Sequence, residues 1–365
     1  MDTPNAPLPA LRTGEAPPLL RIASNRNPQF AFGALGGRYV LVCVVADFAS
    51  TAAPSALKAV ASSVTARADR GVALFCAGEP GEHAALVADI SKAKLVFTDP
   101  GAARTMRLVG AGAPAAGQWM LFDPSLRLLA AWPLAETQAA LSTFDQLPDA
   151  SDHAGVPLNA PVLIAPRVFE PAFCETLIEH YKQTGASPSG VTRESAGGTT
   201  YVELDNDFKR RTDCLIRDEK LRHGAMQRVF WRLLPEIEKA FMWRATRMER
   251  YLVARYDAET GGFFRPHRDN TTKGTAHRRF AVTINLNTGA YDGGDLRFPE
   301  FGSRTYCAPL GGAVVFSCSL LHEATPVTKG ARFAFLPFLY DEDAAQVRAQ
   351  NNPHLAEDLP QYRAD

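Results

Sequence analysis

An α/β domain followed by an all-β roll is the fold the sequence predicts, and three observations carry that expectation. Strand-like and helix-like segments alternate through the first 145 residues. A proline- and alanine-rich polar stretch from Gln146 to Pro161, "QLPDASDHAGVPLNAP", then breaks the pattern. Beyond Met248 the chain turns to short strands punctuated by glycine-rich turns.

In the first region, "RYVLVCVVADF" (Arg38 to Phe48) is a continuous apolar, β-branched run, the pattern of a strand buried on both faces. "PSALKAVASSVTARADRG" (Pro54 to Gly71) is expected to be helical, with proline at its start and glycine at its end. "VALFCAG" is a second buried strand, "EHAALVADISKA" a helix, "KLVFTDP" a strand and "QWMLFDPSLRLLAAWPL" a hairpin. Such alternation implies a three-layer α/β domain.

After the break, "PVLIAPRVFEPAFCETLIEHYKQTG" predicts a strand and a helix, with Phe173, Leu177 and Tyr181 on one face. One long helix is expected from Glu219 to Phe241, with Met226, Val229, Phe230, Leu233 and Ile237 as a buried stripe. The segments "ERYLVARYD", "GFFRPHRDN", "RRFAVTINLN", "DLRFPE", "TYCAPL", "AVVFSCS", "ATPVT" and "RFAFLPFLY" then read as strands of a sandwich or jelly roll.

Composition excludes some functions. The 39 Lys and Arg balance 39 Asp and Glu, and the first 150 residues carry 12 of each sign, which argues against a nucleic-acid or membrane footprint. The opening "MDTPNAPLPALRTGEAPPLL" has no basic or apolar signal-peptide region and reads as a flexible lead-in. Six scattered cysteines without a CxxC indicate reduced core thiols and a cytoplasmic location.

Chemistry concentrates in "FFRPHRDN". Read as a strand, it projects His267 and Asp269 to one side, as two ligands of one metal must be. By itself an H-x-D can be coincidence. His322 in "SLLHEATPV", at the end of an apolar strand, offers a third ligand 53 residues past Asp269. Arg332, ten residues on, opens the apolar strand "RFAFLPF". A buried arginine needs an anion, and apolar neighbours supply none, which points to a bound carboxylate. Arg265, Arg268, Lys273, Arg278 and Arg279 cluster nearby, either as a rim for an anionic substrate or as a solvated hairpin. No aromatic interleaving suggests base stacking.

In combination, H-x-D, the distal His and the Arg resemble the Fe(II)/2-oxoglutarate-dependent dioxygenases, nearest to the prolyl 4-hydroxylase-like branch. "DFKRRTDC", "ARYDAETGGFFRPHRDN", "GGDLRF" and "LHEATPVTKGARFAFLPFL" share in the likeness, which covers about residues 160 to 342. The resemblance implies a double-stranded β-helix with supporting helices, with His267, Asp269 and His322 as iron ligands. It further implies Arg332 on the distal carboxylate of 2-oxoglutarate, and Tyr256 as a cosubstrate contact or else a core aromatic. The implied reaction consumes O2 and 2-oxoglutarate, releases succinate and CO2, and hydroxylates a C–H bond of a small molecule or of a peptidyl, including prolyl, substrate. The acid at Asp269 favours hydroxylation over halogenation, which in related enzymes goes with a small residue there. A non-catalytic metal- and 2-oxoglutarate-binding sensor is the alternative.

Residues 16 to 145 resemble the thioredoxin fold, most of all its peroxiredoxin branch, through "VCVVADFAS", "VFTDPGAARTMRLVG" and "WMLFDPSLRLLAAW". The peroxiredoxin nucleophile is missing, because "ADFASTAAPSA" contains no cysteine. This implies a non-catalytic module that shapes the substrate site or binds a second copy or a protein partner. Expected boundaries are 1–15 for the lead-in, 16–145 for this domain, 146–160 for a linker, 161–345 for the dioxygenase domain and 346–365 for a tail.

Overall fold

The computed structural model describes residues 9–64 and 67–362. The first eight residues of the expected lead-in, residues 65–66 of the expected first helix and residues 363–365 of the expected tail lie outside the described residues. Two compact units divide the chain: Met1–Asn159 with Pro299–Gly302, and Ala160–Phe298 with Ser303–Asp365. Among the described residues, no helix is long and apolar enough to cross a membrane.

The first unit is built on a five-stranded sheet. From edge to edge its strands are Leu95–Phe97, Arg70–Cys76, Tyr39–Val45, Gly117–Phe122 and Leu128–Pro133. The first three run parallel and the last two antiparallel. Tyr39–Val45 is buried along its whole length because helices cover both faces. Tyr39, Leu41, Cys43 and Val45 pack on one side with Ala53, Ala56, Leu57 and Val60 of the helix Ala53–Ser62. Val40, Val42 and Val44 pack on the other with Phe75, Phe97, Ala103 and Met106. Each such side chain contributes about 1.5–3 kcal/mol on burial, so the period-2 alternation sets the register on both sides at once. The first helix ends at Ser62, short of Gly71, because Arg70 already pairs with Tyr39 in the sheet.

The second unit is β-rich. Ten strands form one sheet, with the central order Phe338–Tyr340, Phe280–Asn285, Val327–Phe335, Leu252–Asp257 and Thr212–Leu215. Five form another, ordered Lys209–Arg210, Phe263–His267, His322–Ala324, Leu296–Arg297 and Thr305–Tyr306. Helices Pro171–Thr184, Glu219–Arg232 and Leu234–Phe241 supply Leu177, Tyr181, Val229 and Ile237, and the break between the last two supplies Leu233, to a core shared with Val253, Ile284, Val315 and Phe335 of the larger sheet.

Four expectations need correction here. The single helix from Glu219 to Phe241 is two, broken at Leu233, because Pro235 has no N–H to bond back into the preceding turn. Its stripe is split as well: Val229, Leu233 and Ile237 are buried, whereas Met226 and Phe230 are exposed beside Trp231. The strand through "FFRPHRDN" ends at His267, so Asp269 lies in the turn beyond it. The presumed tail is partly helical, with Glu342–Gln350 capped by Asp341, whose carboxylate accepts from the Ala344 N–H.

A buried charge cluster ties this last helix to the sheets. Glu249 meets Arg278 at 2.7 Å, Arg348 at 2.7 Å and His277 at 3.1 Å. Burial alone would raise the Glu249 carboxyl, but Arg278 foremost, then His277 and Arg348, hold it well below the usual range. Burial likewise keeps His277 below its ordinary value, against the pull of Glu249. Both groups take up protons more readily when unfolded, so their stabilisation is present above the unfolded values, about 4.3 and 6.5, and is lost as pH falls. Thermal melts across pH are therefore expected to show acid destabilisation of this unit. Glu249→Gln should cost about 3–5 kcal/mol near neutrality and flatten the acid limb. An unchanged acid limb in that variant would remove Glu249 from the account.

Candidate metal centre

His267 closes its strand and His322 opens the neighbouring one, and the two residues lie directly opposite each other in the antiparallel register. His322 therefore starts a strand, where the sequence had suggested the end of one. A register shift between Phe264 and His267, next to Pro266, turns the last residue inward. The turn that follows is anchored: the Asp269 N–H donates to Cys318 O at 3.0 Å, and Asn270 Nδ2 to Ser319 Oγ at 2.8 Å. One turn thus brings Asp269 against the segment that leads into His322.

The protonation pattern follows from the partners. His267 Nδ1 lies 2.7 Å from Arg265 O, and His322 Nδ1 lies 3.0 Å from Leu320 O. A carbonyl oxygen only accepts, so both Nδ1 atoms carry hydrogen, which leaves the Nε2 atoms as the ones able to ligate a metal. Those Nε2 atoms face Asp269, at 3.5 Å from Oδ1 for His267 and 3.3 Å from Oδ2 for His322. Burial, reinforced by His322, pushes His267 down to about 4, so it is neutral at physiological pH. Burial opposes ionisation of Asp269, yet His322 and His267 hold its carboxyl well below the usual range. Three atoms able to ligate a metal thus converge within 4.8 Å of one another. Two imidazoles with one carboxylate suit ferrous iron.

Aromatic rings hold the imidazoles in place. Phe264 stacks on His267 at 3.5 Å between centroids, and Phe316 lies 4.5 Å from His322. Fixing ring planes in this way preorganises the donor set.

Arg332 lies within the strand Val327–Phe335, not at its opening, and pairs across the sheet with Tyr256. It is 3% exposed. Its Nη2 donates to Asn285 Oδ1 at 3.2 Å, and its guanidinium lies 5.3 Å from the Tyr256 ring centroid. No carboxylate pairs with it among the described residues. Gly294 admits this side chain: its φ is +70°, and an added Cβ would come within 3.0 Å of Arg332 Cδ.

Tyr256 is buried and sits between two arginines. Arg211 Nη1 donates to its hydroxyl at 3.2 Å, and Arg211 Nη2 bonds Asp213 Oδ2 at 2.7 Å. The hydroxyl keeps its own hydrogen to donate. Sequence reasoning missed Arg211 and Asn285. The signals were present as alternation in "RRTDC" and as amides alternating with apolar residues in "TINLN".

The surrounding cations have protein partners. Arg265 donates to Asp207 O at 2.6 Å, Arg279 to Ala276 O at 3.1 Å, and Arg268 bonds Ser319 O. Arg278 pairs with Glu249, and Lys273 Nζ lies 3.3 Å from His354 Nδ1. These bonds anchor loops, which weakens the case for a free anion-attracting rim.

With this geometry in place, similarity to known proteins can be stated. Residues 251–340 match the 2OG-Fe(II) oxygenase superfamily. The chain is 30% identical over 179 residues to a PKHD-type hydroxylase of Maricaulis maris, covering 46% of this chain and 74% of that protein. It is 39% identical over 85 residues to a PKHD-type hydroxylase of Cupriavidus metallidurans, covering 21% of this chain and 37% of that one. A prolyl-4-hydroxylase structure from Pseudomonas putida aligns with a TM-score of 0.38 and 19% identity, over 52% of this chain and 95% of that one.

Proposed function

The chain belongs to the 2OG-Fe(II) oxygenase superfamily, as a relative of the PKHD-type hydroxylases, and on that premise we propose that its β-rich unit is a Fe(II)- and 2-oxoglutarate-dependent hydroxylase. The observation that carries this reading is the convergence of two imidazole nitrogens and one carboxylate oxygen within 4.8 Å of one another. His267, Asp269 and His322 would hold the iron. When bound, the metal supplies the centre at which O2 oxidises 2-oxoglutarate to succinate and CO2 as a substrate C–H bond is hydroxylated.

The chain's own residues do the rest. Arg332 binds the distal carboxylate of the cosubstrate by charge-assisted hydrogen bonds in a water-poor interior. Tyr256, held by Arg211, donates its hydroxyl hydrogen to the same molecule. We read the β-rich unit as the double-stranded β-helix of this superfamily, with its ligands at the facing ends of two paired strands of the smaller sheet and in the turn that follows the first. The substrate is a small molecule or a peptide, with peptidyl proline among the candidates.

The first unit is a thioredoxin-like, peroxiredoxin-like module that serves binding to a partner or a second copy. Cys43 is fully buried within its strand, and burial pushes its thiol well up, which suits a packing role and not a nucleophile. The protein acts in the cytoplasm.

The test is succinate release from 2-oxoglutarate with added Fe(II), coupled to a screen of peptides and amino acids for a mass gain of one oxygen. Turnover that requires both additions is the expected result. A chain that binds metal and 2-oxoglutarate but releases no succinate with any substrate would instead be a sensor.

A further inference from the structure

Resting on the metal-centre reading above, we propose that Lys209 is a positioning residue that sets the plane of the His267 imidazole through the ring of Phe264. Lys209 lies on the strand Lys209–Arg210, directly opposite Phe264 of the strand that His267 closes. It is 5% exposed. Its Nζ lies 4.6 Å from the Phe264 ring centroid and donates to Gly190 O at 2.8 Å. The Phe264 ring in turn stacks on His267, with 3.5 Å between centroids and 23° between planes. One ring thus meets both a buried amine and a candidate ligand.

A lysine in such a place calls for a reason. Nζ pairs with no carboxylate among the described residues, and its one hydrogen bond goes to a neutral carbonyl. Burial foremost, then repulsion from Arg211, holds the amine well below its ordinary range, while Asp213 and Asp269 pull the other way. An unpaired buried amine is costly, and an apolar chain of the same length would fill the space without that cost. An apolar chain cannot hold a carbonyl oxygen and the face of an aromatic ring together. Protonated or neutral, Nζ has hydrogen for both.

The His267 imidazole needs this second hold. Its Nδ1–H bond to Arg265 O, at 2.7 Å, fixes one edge but lets the ring tilt about the line of that bond. Stacking on Phe264 removes the tilt, and Phe208 adds an edge contact to both rings, at 5.8 Å from Phe264 and 6.5 Å from His267. Phe264 is itself only half-buried, so its own plane depends on what lies over it. Lys209 supplies that cover, and Gly190 O keeps Nζ from swinging away. A tilted imidazole aims Nε2 off the metal, and groups that orient ligands typically matter by about 10–100-fold in metal affinity.

The experiment follows Mn(II) binding to the full chain by calorimetry, beside thermal melts without metal. Lys209→Met is expected to bind Mn(II) about tenfold more weakly, a change of about 1.4 kcal/mol, while its metal-free melting temperature holds or rises. Lys209→Arg, which keeps N–H donors for the carbonyl and the ring, should retain most of the affinity. Phe264→Leu should weaken Mn(II) as Lys209→Met does, and the double variant should be no weaker than Phe264→Leu alone. The visible spectrum of the Co(II)-loaded chain should change in Lys209→Met and return in Lys209→Arg. Unchanged or tighter Mn(II) binding in Lys209→Met, the sign expected if only charge near a dication mattered, overturns the inference. So do losses that add in the double variant, or a fall in the metal-free melting temperature with Mn(II) affinity intact. Each of those results leaves the oxygenase reading standing. An unaltered chain that binds no Mn(II) overturns the metal-centre reading and this inference with it.

Discussion

Arg332→Ala is expected to raise the 2-oxoglutarate concentration needed for half-maximal turnover by roughly ten- to a hundredfold. A hydrogen bond between charged partners contributes about 1.5–3 kcal/mol, and here the cation is buried with no carboxylate partner among the described residues. Arg332→Lys should recover only part of the loss, because an ammonium restores the charge but not the planar fork. Metal affinity should stay close to that of the unaltered chain, since the side chain bonds Asn285 and none of the three candidate ligands. Titration of metal and of 2-oxoglutarate on the same preparation separates the two effects. Equal weakening of both would contradict the role given to Arg332.

The second large effect is expected at Asp269. Its carboxylate is the only anion among the three converging groups, so Asp269→Ala leaves only two imidazoles to face a dication. Metal affinity should fall by more than the roughly 10–100-fold typical of losing an outer partner of a ligand. Stability of the metal-free chain should behave differently. As a metal ligand and not a structural group, Asp269 can be removed with a shift in melting temperature of no more than about 2–4 °C, the effect of roughly 1 kcal/mol in a unit of this size. The variant should instead lose the added stability that metal confers on the unaltered chain. A large drop in the metal-free melting temperature would mean that Asp269 is a structural residue.

Legibility of the fold followed the range of the interactions involved. Tyr39–Val45 could be read because every side chain is apolar, which only two covered faces permit. The grouping of His267, Asp269 and His322 could be read because those side chains carry the chemistry whatever backbone surrounds them. Their backbone setting could not. Whether Asp269 belongs to a strand or a turn depends on a register shift near Pro266 and on the carbonyl of Cys318, far along the chain. Met226 and Phe230 share the helical period of Val229 and Leu233, yet they are exposed, since periodicity describes a face and not what covers it. The cluster of Glu249, His277, Arg278 and Arg348 joins residues up to about 100 positions apart, and no local pattern announces it.

The direct opposition of His267 and His322 separates two distances that a reader of the chain would conflate. Their spacing in space is set by one rung of a ladder, whereas their spacing along the backbone is set by whatever loops intervene. Descendants of this chain can therefore lengthen the intervening loops and keep the same donor geometry. A single residue removed from Phe263–His267 would instead turn the imidazole to the opposite side of the ribbon.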